Sequence, residues 1–285
     1  MKIAVIGAAG NMGRWFTNYF IKKEHNVKVY DKRRSDAKYL AEDVGAVYAS
    51  TLKQCIDGCD VIFLSVPIEI TSRILKKIGK FIESSTLLVE IASIKSGIIS
   101  ALRELPKQIT PLSLHPLFGQ GLSDLKSGRL IVVEVNDLQL ETELANELFP
   151  EAHLVSCSAE EHDKMIAYSL ALPYFLNLAF GKCISNLNVA KLRQYAGTTL
   201  SVQLDLLEAI IQSSRHLIPT LLTKNPYSTE VINRYLKAAE TLNQHLNKGV
   251  ELENILSRLE KKLSSDLAYR EAYQKLYNLT EKREE

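Results

Sequence analysis

Cysteine is scarce in this chain. Its four cysteines, Cys55, Cys59, Cys157 and Cys183, form no Cys-x-x-Cys pair. The Cys55/Cys59 spacing has no second pair and no nearby histidine, which argues against a zinc or other metal site. Free thiols in a reducing cytoplasm are the expectation. Charge of one sign is also missing, since 35 Lys+Arg against 33 Asp+Glu leave a net charge of +2. No strong field is left to draw the chain to nucleic acid or to a membrane. Long apolar runs are absent too: the stretch from Met165 to Phe180 is broken by Ser169, Pro173 and Asn177. It falls short of the roughly 20 apolar residues of a membrane span and reads as a buried helix. The apolar start at Met1–Gly7 is too short for a signal peptide and reads as a strand. What remains, 46% hydrophobic and 24% charged residues over 285 positions, describes a soluble globular protein of one large or two ordinary domains.

The first half alternates short apolar segments with helical ones. Strands are expected at Lys2–Ile6, Asn26–Tyr30, Val61–Val66, Leu87–Ile91, Thr110–His115 and Leu130–Val135, with a last short one at His153–Val155. Near-continuous apolar strands between helices predict a doubly wound parallel sheet. The character changes at Ser156-Cys157-Ser158, and Ser158-Ala159-Glu160-Glu161 fits a capping box. Beyond it helical periodicity dominates: Leu200, Leu204, Leu207 and Ile211 share a stripe, as do Ile255, Leu259 and Leu263. The reading is an α/β domain over 1–156 and an all-helical domain over 157–285, with a frayed charged tail at Glu281–Glu285.

Gly7-Ala8-Ala9-Gly10-Asn11-Met12-Gly13 follows the first strand and opens a helix. Such a turn lets backbone N–H groups at a helix start meet a pyrophosphate. The spacing is one residue longer than the usual GxGxxG, and Asp31 stands about 20 residues on, where a ribose 2′-hydroxyl would be bound. Asp31 favours NAD, while Lys32-Arg33-Arg34 keep NADP open. Ser65-Val66-Pro67, ending the strand Val61–Val66, emerges on the same edge and is expected along the cofactor. Gly7, Ala9, Gly10, Asn11, Met12, Gly13, Asp31, Ser65, Val66 and Pro67 are therefore the candidate cofactor-binding residues.

Two further segments reach that edge. Ala92-Ser93-Ile94-Lys95-Ser96-Gly97 follows one strand, and His115-Pro116-Leu117-Phe118-Gly119 follows the next. An imidazole at a strand end beside a nicotinamide ring can take a proton while hydride leaves to the cofactor. Ser93 can orient that imidazole and Lys95 can hold a carboxylate. His162, Ile166, Ser169 and Pro173 share a later helical stripe, with Asn177 one more turn along, which either lines a ligand cavity or forms a satisfied polar seam. Pro173 is expected to kink that helix.

Together, Gly7–Gly13, Leu64–Ile68, Ser93-Ile94-Lys95, His115–Gly119, Glu161–Lys164 and Asn225-Pro226-Tyr227 resemble the prephenate/arogenate dehydrogenase family of tyrosine biosynthesis. The resemblance implies an N-terminal Rossmann domain, a C-terminal helical dimerisation domain, a homodimer and an active site between the domains. It also implies NAD-dependent oxidative decarboxylation of prephenate to 4-hydroxyphenylpyruvate, or of arogenate. His115 would be the base, Ser93 would bond His115 or the substrate hydroxyl, and Lys95 would sit near a carboxylate or support the loop. His162 would line the substrate pocket. Tyr174 stands where family members carry a second histidine, and Thr220 where they place a substrate-binding arginine. Arg215, about one turn earlier, and Arg193 are the candidates for that arginine, and Gln120 replaces a common proline. The alternatives are another Rossmann reductase acting on an imine or β-hydroxy acid, and a nucleotide sensor without chemistry.

Overall fold

The computed structural model describes residues 1–82, 84–212 and 215–281. The expected frayed tail, apart from Glu281, lies outside them. The chain divides into two compact units, Met1–Ile166 and Ala167–Glu285.

The first unit carries, among the described residues, a sheet of β1 (Lys2–Ile6), β2 (Asn26–Tyr30), β3 (Val47–Tyr48), β4 (Val61–Leu64), β5 (Thr86–Glu90), β6 (Ile109–Pro116), β7 (Arg129–Val133) and β8 (His153–Cys157). Their order is β3-β2-β1-β4-β5-β6-β7-β8. Neighbours from β3 to β6 are parallel, β7 runs antiparallel to β6, and β8 is parallel to β7. The order reverses between β1 and β4, so the carboxyl ends of β1, β4, β5 and β6 border the crevice where open α/β sheets bind ligands. The strands match the sequence-based expectation within a few residues. The two-residue β3 is the exception, being too short for any apolar pattern to mark it.

Helices α1 (Asn11–Lys22), α2 (Arg34–Val44), α3 (Leu52–Ile56), α4 (Ile68–Ile78), α5 (Ile98–Arg103) and α6 (Leu138–Leu148) connect these strands, and α7 (Ala159–Ile166) follows β8. Strands covered by helices on both faces bury apolar side chains all along, which is why Val61–Leu64 is buried at each position. On one face α1 lays Phe16 and Phe20 onto Phe63 and Phe149, with the Phe16 and Phe63 ring centroids 4.4 Å apart. The expected capping box is present at α7, where the Glu161 N–H donates to Ser158 Oγ at 3.2 Å. The unit boundary falls ten residues beyond the change in composition at Ser156, because Asp163 ties α7 to the amides of the β5–α5 loop.

The second unit begins with a π-helical turn, Ala167–Ala171, then α8 (Leu172–Ile184), with Pro173 in its first turn. Proline removes an N–H and crowds the carbonyl four residues back, and the wider π turn lies directly before it. Asn177 bonds the Pro173 carbonyl at 2.9 Å and receives Gln203 Nε2 at 2.7 Å, so it forms the polar seam between α8 and a later helix rather than lining a cavity. That helix is α10 (Thr198–Gln212), reached through α9 (Val189–Arg193). On α10, Leu204, Leu207 and Ile210 are buried while Ile211 is 57% exposed, so the stripe turns one residue short of its expected end. The chain ends with α11 (Leu217–Lys224), α12 (Ser228–Gln244), α13 (Gly249–Leu263) and α14 (Ala272–Glu281).

Phe16 is fully buried within this aromatic cluster. Phe16→Ala is expected to cost the first unit about 3–5 kcal/mol, the usual cost of emptying a buried phenylalanine site. Urea unfolding followed by the fluorescence of Trp15, the single tryptophan, measures it. A change below about 1 kcal/mol would mean that the cluster repacks freely.

Candidate active site

The glycine turn after β1 is shaped by its neighbours. Gly7 has φ +83°, and a Cβ there would lie 2.0 Å from the Ser65 carbonyl oxygen; a Cβ on Gly13 would lie 2.1 Å from the Gly7 carbonyl oxygen. Only glycine lets the strand ends and the helix start approach so closely. Helix α1 has Gly10 at its N-cap with no side-chain cap, so the amides of Asn11, Met12 and Gly13 carry no capping oxygen. The dipole there favours an anion. Asp31, at the end of β2 and 7% exposed, accepts the Ala9 N–H at 3.1 Å and the Arg33 N–H at 2.9 Å. Ser65 continues β4 by donating its N–H to Ile6 at 2.8 Å, and Pro67 precedes α4. A tight glycine turn, an uncapped helix start and an acid at the next strand end all fit a dinucleotide.

A buried polar network lies at the ends of β5 and β6, which are paired with Glu90 opposite Ser113. Lys95 is fully buried, and its ammonium donates to Glu90 Oε1 at 2.7 Å and to the Leu114 carbonyl at 2.7 Å. Ser113 Oγ donates to the same Glu90 oxygen at 2.5 Å, and the Ala92 N–H reaches Glu90 Oε2 at 2.8 Å. Burial pulls the Lys95 ammonium below its ordinary range, with Glu90 working the other way. The carboxylate and ammonium thus satisfy one another inside the sheet, as buried charges must.

Above this pair, His115 Nδ1 lies 2.9 Å from His162 Nε2, and His162 Nδ1 lies 2.8 Å from Asp163 Oδ1. The Asp163 carboxylate receives the Lys95 N–H at 2.8 Å, the Ser96 N–H at 2.8 Å and the Ser96 hydroxyl. His115, His162 and Asp163 are 3%, 0% and 1% exposed. Burial, then His162 and Lys95, hold His115 well below the usual histidine range. Burial lowers His162 also, against the opposing pull of Asp163. Burial would raise Asp163, but hydrogen bonds from His162, Ser96 and the Lys95 backbone outweigh it and keep the carboxyl ionised. The result is a neutral imidazole backed by a second imidazole and a carboxylate.

Lys95, His115 and His162 are thus brought together, whereas Ser93 is half-buried and, among the described residues, makes no side-chain hydrogen bond. His162 holds His115 Nδ1, and Ser93, expected to bond His115 or the substrate hydroxyl, has no bond to the ring. Lys95 supports the strand ends through Glu90 and the Leu114 carbonyl. Phe118 packs against Trp15, whose indole N–H bonds the Leu122 carbonyl at 2.7 Å, anchoring the loop after His115. Tyr174, Arg215 and Thr220 belong to the second unit. There Tyr174 is half-buried with its phenol raised by burial, Arg215 is exposed and Thr220 is buried. Arg193 is committed to Glu208. Sequence reasoning assigned no role to Glu90, Ser96, Ser113 or Asp163. The signal available for Glu90 and Ser113 was a polar residue inside an otherwise apolar parallel strand.

His115 and His162 bind protons less readily in the folded chain than in the unfolded one, whose imidazoles titrate near 6.5. Stability is therefore full above that value and is lost as pH falls through the folded values, because the unfolded chain takes up protons first. The urea midpoint should drop on acidification below about 6.5, and His115→Asn should make that drop shallower. Identical slopes would show that His115 is not held neutral by folding.

Residues 18–130 match the family described as prephenate dehydrogenase, nucleotide-binding domain. The match includes His115 and ends before His162. A probable arogenate/prephenate dehydrogenase of Methanocaldococcus jannaschii is 23% identical over 252 residues, covering 86% of this chain and 56% of that protein. The T-protein of Enterobacter agglomerans is 26% identical over 243 residues, covering 82% and 59%. The chain thus spans less than two thirds of the length of these relatives. The crystal structure of prephenate dehydrogenase from A. aeolicus, in complex with hydroxyphenyl propionate and NAD+, superposes with a TM-score of 0.73 at 16% identity, covering 93% of this chain and 98% of that one. That likeness is one of fold, a nucleotide-binding sheet followed by a helical region. Over residues 18–130 the sheet-bearing unit is thus similar to the prephenate dehydrogenase nucleotide-binding family.

Proposed function

We propose that the chain is an NAD-dependent dehydrogenase that oxidises the ring carbinol of prephenate or arogenate with loss of the ring carboxylate as carbon dioxide. The observation that carries this reading is His115, a neutral imidazole on the same strand edge as the glycine turn and backed by His162 and Asp163. NAD, when bound, supplies the hydride acceptor. The residues of the chain do the rest. His115 takes the proton of the ring hydroxyl as the carbinol C–H bond breaks. Its burial keeps competing water away and leaves it unprotonated at neutral pH. The carboxylate departs with its bonding electrons entering the ring, and aromatisation makes the step effectively irreversible.

NAD rather than NADP is favoured at Asp31. The Arg33 guanidinium, one of the cations that would greet a 2′-phosphate, turns to Asp31 and Asp36 at 3.6 Å each. Arg215 is our choice for the substrate carboxylate anchor, since Arg193 is already paired. A homodimer is part of the proposal, because Leu256, Leu259, Leu263 and Leu267 leave an exposed apolar stripe on the second unit.

Purified chain with NAD+ and prephenate, then arogenate, should produce NADH, seen by absorbance. His115→Asn should keep cofactor affinity and lose roughly 10²–10⁴ in turnover, the usual value of a general base. Near-wild-type turnover in that variant would remove His115 from the mechanism. Cofactor binding by calorimetry without turnover on either substrate would support the other-reductase or sensor reading instead. Asp31→Ala should weaken NAD+ more than NADP+; the reverse would overturn the cofactor assignment. Light scattering should give twice the 32.0 kDa of one chain, and a monomer would count against the dimer.

A further inference from the structure

We propose that Asp163 and His162 are positioning residues that hold His115 as its Nδ1–H tautomer, leaving Nε2 as the atom that takes the proton. The consequence for turnover rests on the dehydrogenase reading above; the tautomer itself does not.

The inference follows from donor and acceptor bookkeeping along one line of atoms. Asp163 Oδ1 accepts the Lys95 N–H, and Oδ2 accepts the Ser96 N–H and hydroxyl. A carboxylate held by so many donors is ionised and has no proton to give. The hydrogen on the 2.8 Å contact to His162 therefore sits on His162 Nδ1. A neutral His162 then presents a lone pair at Nε2, and the 2.9 Å contact to His115 requires a hydrogen on His115 Nδ1. His115 Nε2 is left bare. The opposite arrangement, with His115 Nδ1 accepting, needs a doubly protonated His162 in a fully buried position. The Lys95 ammonium beneath both rings opposes that charge, while Glu90 and Asp163 favour it, and burial decides against it.

When His115 gains a proton at Nε2, its Nδ1–H still points at His162 Nε2, and the new positive charge is shared along the line toward Asp163. The β5–α5 loop is part of the device, because the two amides that fix Asp163 belong to Lys95 and Ser96 in that loop.

The test reads the tautomer directly. Imidazole ¹⁵N spectra of the full chain without ligands, with His115 assigned by its loss in His115→Asn, should show Nδ1 protonated and Nε2 bare. Asp163→Asn, whose amide can donate to His162 Nδ1, should move the His115 proton to Nε2. With NAD+ and prephenate or arogenate it should lower kcat on the order of 10²-fold and leave the KM for NAD+ unchanged. His162→Phe, which keeps the volume and removes the relay, should do the same to kcat. A wild-type spectrum with the proton on His115 Nε2 overturns the proposal whatever the variants do, and so does an Asp163→Asn protein with wild-type tautomer and kcat. The expected tautomer in a protein that turns over neither substrate would sink the dehydrogenase reading and leave this inference standing.

Discussion

The carboxylate of Asp163 is the contact on which the candidate site depends. Removed from water, it must be surrounded by donors, and it finds them on two separate elements: backbone amides of the β5–α5 loop and the ring of its own neighbour, His162. That requirement fastens α7 to the sheet. It also orients His162, and through His162 it orients His115. One desolvated charge therefore fixes helix placement, loop conformation and imidazole geometry together.

A second buried charge pair carries the floor of the site. Glu90 and Lys95 close the end of β5, and Lys95 also holds the Leu114 carbonyl just before His115. The pair fixes the strand end from which the histidine projects. Its ammonium also lies close enough to help keep His115 neutral. Structural and electrostatic roles are thus combined in a lysine with no exposed surface. On the other side of the switch point, Gly7 lets the glycine turn press against Ser65, and Gly13 lets the first turn of α1 press against Gly7. The cradle for a nucleotide and the histidine pair share one sheet edge as a result.

Much of this was legible in the chain itself. Apolar runs bounded by glycine and charged turns mark the strands, because parallel strands buried on both faces leave no polar alternation. The glycine turn, Asp31 and His115 follow from their positions at strand ends. Other features were not legible, for physical reasons. Which nitrogen of His115 meets which partner depends on α7 folding back over 47 residues, and no local pattern encodes that return. Ser93 and Lys95 read alike as site residues from their loop, yet burial turns the lysine inward to a carboxylate and gives the serine no side-chain hydrogen bond among the described residues. The proline at 173 signals a disturbance, but the π-helical turn Ala167–Ala171 that precedes it follows no local pattern.

The account stands on His115 being a neutral base at physiological pH. The most direct measurement is the pH dependence of kcat/KM for NADH formation from the accepted substrate. A base whose pKa is depressed by burial stays competent as the solution is acidified, so the acid limb should fall below 6.5, the ordinary histidine value. An acid limb at or above that value would mean that the imidazole is stabilised as a cation, and it would contradict the claim that burial, His162 and Lys95 keep it neutral.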